Sequence, residues 1–261
     1  MIPSRWLTRR NRVRQHLLQR PSSDLLQVVP LTAIVGELTL SGEAFKRQLA
    51  LGHSAYNLIN PELGFISFVG LHHVLPDGAS GHFFWMFMQP DPNDVSHPRH
   101  WLQTTSQREK LDHVLKTVAK LPPKFREIFE LTPADGVRRE PHVWRDLELD
   151  SLPAGRVVLV GDAAHAMTPS RGEGAFHAFI DAMRLTAALD RLHADANIND
   201  IVAVKAAVAE YHAEMLERGS AAVRSSRNSY QEAKKRAETK QHFTSGMKAL
   251  PAEEIVLEVK A

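Results

Sequence analysis

The sequence predicts a mixed α/β fold of the α+β kind, and three observations predict it. From Leu25 to Gln89 the chain carries short apolar runs rich in branched and aromatic residues, broken by Gly, Pro, Asn and Asp, as a predominantly β region does. Towards the C-terminus the period changes, and apolar residues recur every three or four positions, the mark of amphipathic helices. Between the two lies Arg156–Val160, bounded by Gly155 and Gly161. Four consecutive apolar residues without alternation are how a strand buried on both faces of a parallel sheet reads.

Leu25–Val29, Ala33–Leu40, Phe65–Leu71 and His82–Gln89 are the candidate strands of the β region. Ser41, followed by Gly42 and Glu43, is placed to cap a short helix over Ala44–Leu51. A proline-rich turn over Gln89–Pro98 closes the region. Leu111, Val114, Leu115 and Val118 sit at helical spacing within Thr105–Leu121, and the pair Pro122-Pro123 stops that helix. A short amphipathic stretch follows over Lys124–Leu131, then a strand-like one over Val143–Leu149. Beyond Val160 two helical stripes stand out, Ala178, Ala182, Leu185, Leu189 and Leu192, then Ile201, Val204, Val208, Tyr211 and Met215. Ser225–Gln241 is mostly polar and reads as a surface helix or a frayed tail.

Bulk properties exclude several function classes. With 261 residues, 43% hydrophobic and 24% charged, the chain has apolar material for a sizeable core and one or two domains. A formal net charge of +2, with basic residues spread along the chain, does not imply nucleic acid as a partner. No cysteine is present, so there is no disulfide, thiolate metal site or cysteine nucleophile, and a cytoplasmic, reducing setting is compatible. Met1–Arg20 holds six arginines and no acid, the composition of a mitochondrial presequence, although Arg12–Leu18 has another reading, given below. No apolar run has the length to cross a bilayer. The 14 histidines, His72-His73, His97 and His100 among them, show no His-Glu-x-x-His arrangement, so no metal site is expected.

Chemistry concentrates in Gly155–Leu185: a buried strand ending in Gly161-Asp162, a loop with Pro169 and two glycines, then a helix. Loops at the carboxyl ends of parallel strands are where cofactors bind in open α/β sheets. Gly172 and Gly174 would let backbone approach a flat ring, and the N–H groups opening the next helix would face an electron-rich edge. Asp162, at the strand end, is placed to accept hydrogen bonds from a polyol or ribose; its bland alternative is capping a turn. His165 reads as orienting the loop. Arg171 and Glu173 have the alternative of a solvated pair, and Asp181 that of pairing with a basic group at the helix surface.

Gly161-Asp162, His165, Pro169, Gly172, Gly174 and Asp181-Ala182 together resemble the second FAD motif of the class A flavoprotein monooxygenases, the para-hydroxybenzoate hydroxylase type. The resemblance implies FAD as cofactor, NADPH or NADH as reductant, and transfer of an oxygen atom to an aromatic or polyketide-like small molecule, with fungal secondary metabolism suggested by Arg171-Gly172-Glu173-Gly174. It implies cofactor contacts from Asp162 to the ribityl chain, from Pro169 beside the isoalloxazine, and from Gly172, Glu173, Gly174 and Ala175 at the ring's edge. No side chain is assigned as catalytic, because the flavin carries the chemistry. Phe83–Phe87 resembles the substrate-binding sheet of such enzymes, and Arg12–Leu18 the tail of their middle motif, whose Asp-Gly is Leu7-Thr8 here. Where the family usually has Asn, this chain has Phe176, a ring expected either to pack into the core or to obstruct the flavin.

The expected organisation is a remnant of the FAD-binding domain over 1–20, a substrate-binding β-sheet region over 21–150, an FAD-binding strand, loop and helix over 151–195, and C-terminal helices over 196–261. That makes a partial FAD-binding Rossmann-like layer beside a mixed sheet. A Gly-x-Gly-x-x-Gly turn between a strand and a helix is missing, so the chain reads as the C-terminal portion of a larger enzyme. Three accounts follow: a shortened gene product, a protein that completes its sheet with a partner chain, or a redox-neutral cyclase, isomerase or non-catalytic subunit that no longer binds FAD.

Overall fold

The computed structural model describes residues 13–21 and 24–238. A helical turn over 13–18 (α1) precedes strand β1 (Leu26–Val28). Next come β2 (Leu31–Ser41), helix α2 (Gly42–Gly52), β3 (Ala55–Asn60), β4 (Phe65–Val74) and β5 (Ser80–Pro90). Helices α3 (Trp101–Thr104), α4 (Gln107–Val118) and α5 (Pro123–Glu130) lead to β6 (Arg145–Leu147). A four-residue turn of helix α6 (Asp162–His165), then α7 (Gly174–Ala194) and α8 (Ile201–Glu238), complete the described chain. Leu7-Thr8 and Arg12 lie outside the described residues.

The main sheet has the order β2-β5-β4-β3 and is antiparallel throughout. Along β5 the residues Phe83, Trp85 and Phe87 are buried while Phe84 and Met86 between them are half-buried, the period-2 alternation of a sheet with one face on a core. That face packs against Phe45 of α2, Leu111, Val114 and Val118 of α4, and Ile128 and Phe129 of α5. Trp85 is fully buried, and its indole N–H donates to Thr132 Oγ1 at 2.8 Å. Gly36 lies opposite it in register, where a β-carbon would stand 2.2 Å from the indole ring. α4 starts with a capping box between Ser106 and Glu109, and Pro123 opens α5, so the Pro-Pro pair separates two helices. Ser41 precedes α2 without a side-chain cap bond. β3 is an added edge strand whose half-exposed alternation of Ala, Tyr, Asn, Leu and Ile hid it from the apolar-run criterion.

Outside this sheet, β1 pairs with β6 in a short antiparallel ribbon, so the strand expected over Val143–Leu149 forms only at its centre. The largest correction concerns Arg156–Val160. These residues form no strand, and no parallel pair occurs among the described residues. Leu159 turns inward on Tyr211 and Met215 of α8, whereas Val157 and Val160 are 50% and 42% exposed. Apolarity on both sides does not make a strand when no neighbouring strand supplies a ladder.

Helix α8 runs 38 residues as one piece, so the polar stretch after Ser225 continues it to Glu238. Val204, Val208, Tyr211 and Met215 are buried as their spacing predicts, and Ile201 is exposed. α7 departs further: its buried positions are His177, Asp181, Ala188 and Leu192, while Ala182 and Leu189 of the expected stripe are exposed. No described helix is long and apolar enough to cross a membrane.

Candidate functional site

The Gly-Asp motif sits where the chain leaves its extended run and enters α6. Gly161 has φ 56° and ψ −139°, a conformation open essentially to glycine. Its carbonyl accepts the amides of Ala164 (2.8 Å) and His165 (3.0 Å), which closes the α6 turn and leaves Asp162 exposed at its start. Beside it opens a cleft of about 630 Å³, walled by Val158, Leu159 and Val160 on one side and by Gly174, Ala175 and Ala178 of α7 on another. Gly161, Asp162 and Ala163, and Val13 of α1, complete its lining.

Of the positions singled out in the sequence, the structure brings Asp162, Gly174 and Ala175 to this cleft. Pro169, Gly172 and Glu173 are not among its lining residues. Pro169 opens a 3-10 turn that ends at Gly172 with φ 69°, and the Arg171 guanidinium makes two 3.0 Å hydrogen bonds to the Glu173 carboxylate, the solvated pair. Phe176 neither enters the core nor lines the cleft; it stands 61% exposed on α7.

Under the motif lies a polar network centred on Asp181, which is fully buried and not at the helix surface. Its Oδ2 accepts from the Gly161 amide and from His165 Nε2, both at 2.7 Å, and its Oδ1 accepts from Arg218 Nη2 at 2.8 Å. Burial alone would push this carboxyl up. The hydrogen bonds from His165, Arg218 and Gly161 outweigh it and hold the pKa at about 2. Arg218 is in turn held by Glu214 at 2.8 and 3.1 Å and reaches His177 Nδ1 at 3.1 Å. The His177 pKa is lowered by burial and then by that guanidinium. His165 packs flat enough against α8 that a β-carbon on Gly219 would stand 2.8 Å from its ring.

Helix α8 fixes the rest of the loop. Thr168 and Ser226 share a 2.6 Å hydroxyl contact, and Ser226 Oγ also donates to the Thr168 carbonyl at 2.7 Å. One turn position on, Arg227 makes a bidentate pair with the buried Asp146 of β6 at 2.7 and 2.9 Å. Arg218, Gly219, Ser226, Arg227 and Asp146 carry no local signal. They lie in an ordinary amphipathic helix and a three-residue strand, and only their approach to the loop gives them a role.

Residues 85–226 match the family described as FAD binding domain, which is more than half of the chain. The chain belongs to that family. Within this FAD-binding family its similarities are consistent. It is 52% identical over 249 residues to the FAD-dependent monooxygenase thnD of Trichoderma harzianum, covering 95% of this chain and 61% of that protein. It is 40% identical over 99 residues to a salicylate hydroxylase of Pseudomonas putida, 37% of this chain and 20% of that protein. Among solved structures it superposes on Klebsiella pneumoniae HpxO complexed with FAD and uric acid, with a TM-score of 0.56 at 20% identity over 85% of this chain and 53% of that one. The chain thus spans about three fifths of the first relative, and the structural likeness establishes the shared mixed α/β fold.

FAD is the cofactor that family membership supports. The cleft fits part of such a group: small residues at Gly161, Ala163, Gly174, Ala175 and Ala178 leave backbone accessible, and one carboxylate, Asp162, stands among them.

Proposed function

We propose that this chain forms the flavin-facing part of an FAD-dependent monooxygenase that acts on an aromatic or polyketide-like small molecule, in cytoplasmic fungal secondary metabolism. The observation that carries this reading is the cleft that joins Asp162 to the glycine-rich start of α7, in a chain 52% identical to a FAD-dependent monooxygenase. Asp162 would hold the ribityl hydroxyls, and Gly174 and Ala175 would admit the ring edge. Pro169, Gly172 and Glu173 would complete the contact from the adjoining turn. Bound flavin, reduced by NADPH or NADH, would supply the oxygen-transfer chemistry. The protein's part is to bind, orient and keep water from the reacting face. The half-buried outer side of the sheet, with Phe84 and Met86 on β5, would bound the substrate.

The reading includes a second body. Val157 and Val160 are exposed, and on α7 Phe176, Phe179 and Met183 stand 61%, 70% and 72% exposed at helical spacing. An added α/β segment, supplied by the same or a partner chain, would pair with 156–160 and cover these exposed apolar side chains.

The test is the absorption spectrum of the purified protein after incubation with excess FAD and removal of unbound cofactor. Retained flavin absorbance, lost in Asp162→Ala, is the expected result, with NADPH-dependent oxygen consumption as the next assay. A colourless, folded protein would overturn the autonomous flavoenzyme and favour a redox-neutral role.

A further inference from the structure

We infer that Asp181 is a positioning residue for the flavin-facing turn: one buried carboxylate oxygen clamps both ends of the α6 turn and so aims Asp162 into the cleft. This rests on the FAD reading above. The argument is geometric. Asp162 opens a helical turn only four residues long, too short to hold its own shape. Immediately before it, Gly161 takes a positive φ, and at its far end stands His165; both donate to the same atom, Asp181 Oδ2, at 2.7 Å. Since Asp181 is ionised across the ordinary pH range, it acts only as acceptor, and His165 carries its proton on Nε2. Arg218 occupies the other oxygen at 2.8 Å and is itself braced by Glu214, so the carboxylate cannot rotate away. His177 of α7 and Tyr211 of α8 also face the carboxylate electrostatically.

Asp181 and His165 are 0% and 2% exposed and are not among the residues that line the cleft, so the clamp acts from beneath the surface that a ligand would meet. A contribution to binding would therefore pass through the backbone of residues 161–165.

The experiment measures amide hydrogen exchange across residues 158–166 in the full chain and in Asp181→Asn, together with FAD affinity in a double-mutant cycle with Asp162→Ala. An amide side chain offers one acceptor instead of two and turns an N–H on either Arg218 or the turn. The expected result is exchange at 161–165 rising tenfold or more while the amides of β2 and β5 are unchanged. FAD affinity should fall tenfold or more in Asp181→Asn, with no further loss when Asp162→Ala is already present. Unchanged exchange overturns the clamp whether or not FAD binds. Additive losses in the cycle overturn positioning through Asp162 and leave a structural role only. If the wild-type chain binds no FAD, the flavin reading fails by itself, and the exchange comparison still decides the clamp. Should Asp181→Asn not fold, His165→Leu, which carries no donor, removes one of the two bonds, keeps the Asp181–Arg218 pair, and is expected to raise exchange at 164–165 most.

Discussion

The sheet half of the molecule and the motif half solve the same problem in opposite ways. In the sheet half, Phe65, Trp85, Phe87, Val114, Ile128 and Phe129 are all at most 1% exposed, and hydrophobic burial of a closed core fixes the geometry. In the motif half the apolar clusters are small, Leu159, Ala164, Tyr211 and Met215 in one and Leu192, Val204 and Val208 in another. Large apolar side chains there face outward. This half is held instead by charged and hydroxyl pairs that α8 makes with α7, β6 and the loop: Arg218 with Asp181, Arg227 with Asp146, Ser226 with Thr168. A site that must leave room for a ligand cannot be filled by core residues, so directional bonds define its shape.

The largest effect that would sharpen this contrast is expected from Trp85→Ala. Removing a fully buried aromatic should cost about 3–5 kcal/mol in a denaturant titration, with the cleft's local exchange affected only through global unfolding. Next is the acid limb of stability. The Asp181 carboxyl is held below its ordinary value, so the stability it gives is present above about pH 4 and is lost as pH falls towards 2, roughly 2 kcal/mol in all. The difference between wild type and Asp181→Asn, followed by tryptophan fluorescence from pH 6 to 2, should disappear over that window; a difference that stays constant would show that the ionised carboxylate contributes little.

A smaller loss, about 1–2 kcal/mol, is expected from Thr132→Val, which strands the Trp85 indole N–H in the core without shrinking it. The smallest belongs to Phe179→Ser. At 70% exposure the ring contributes within about 0.5 kcal/mol to the described fold, while concentration-dependent association in sedimentation should fall. A destabilisation well above 1 kcal/mol would break the comparison, because it would show that α7's outer face is already covered.

Legibility in the sequence followed the same division. β2, β4, β5, α2, α4 and α5 were readable because each buries one face against the core that the others make, so period and burial agree. Asp162, Gly174 and Ala175, singled out through the motif's resemblance to a family, all line one cleft. Arg156–Val160 was misread as a strand and the α7 stripe as a core face, since both readings presuppose neighbours that apolarity alone cannot supply. Asp181 was visible as a motif position, yet its burial and its two donors on one oxygen were not, because Gly161, His165 and Arg218 meet it from three separate places along the chain.

By itself, then, the sequence determined the mixed α/β class, the existence of the β region, the amphipathic helical character of the C-terminal part and the position of the glycine-rich motif. Each depends on local period, turn chemistry or fixed spacing. Only the tertiary structure decided which apolar residues are covered, which carboxylate is buried and what aims Asp162. Those depend on contacts across 20 to 81 residues of chain, such as Gly161 with Asp181 and Asp146 with Arg227, where burial and hydrogen-bond geometry exist only once the helices have packed.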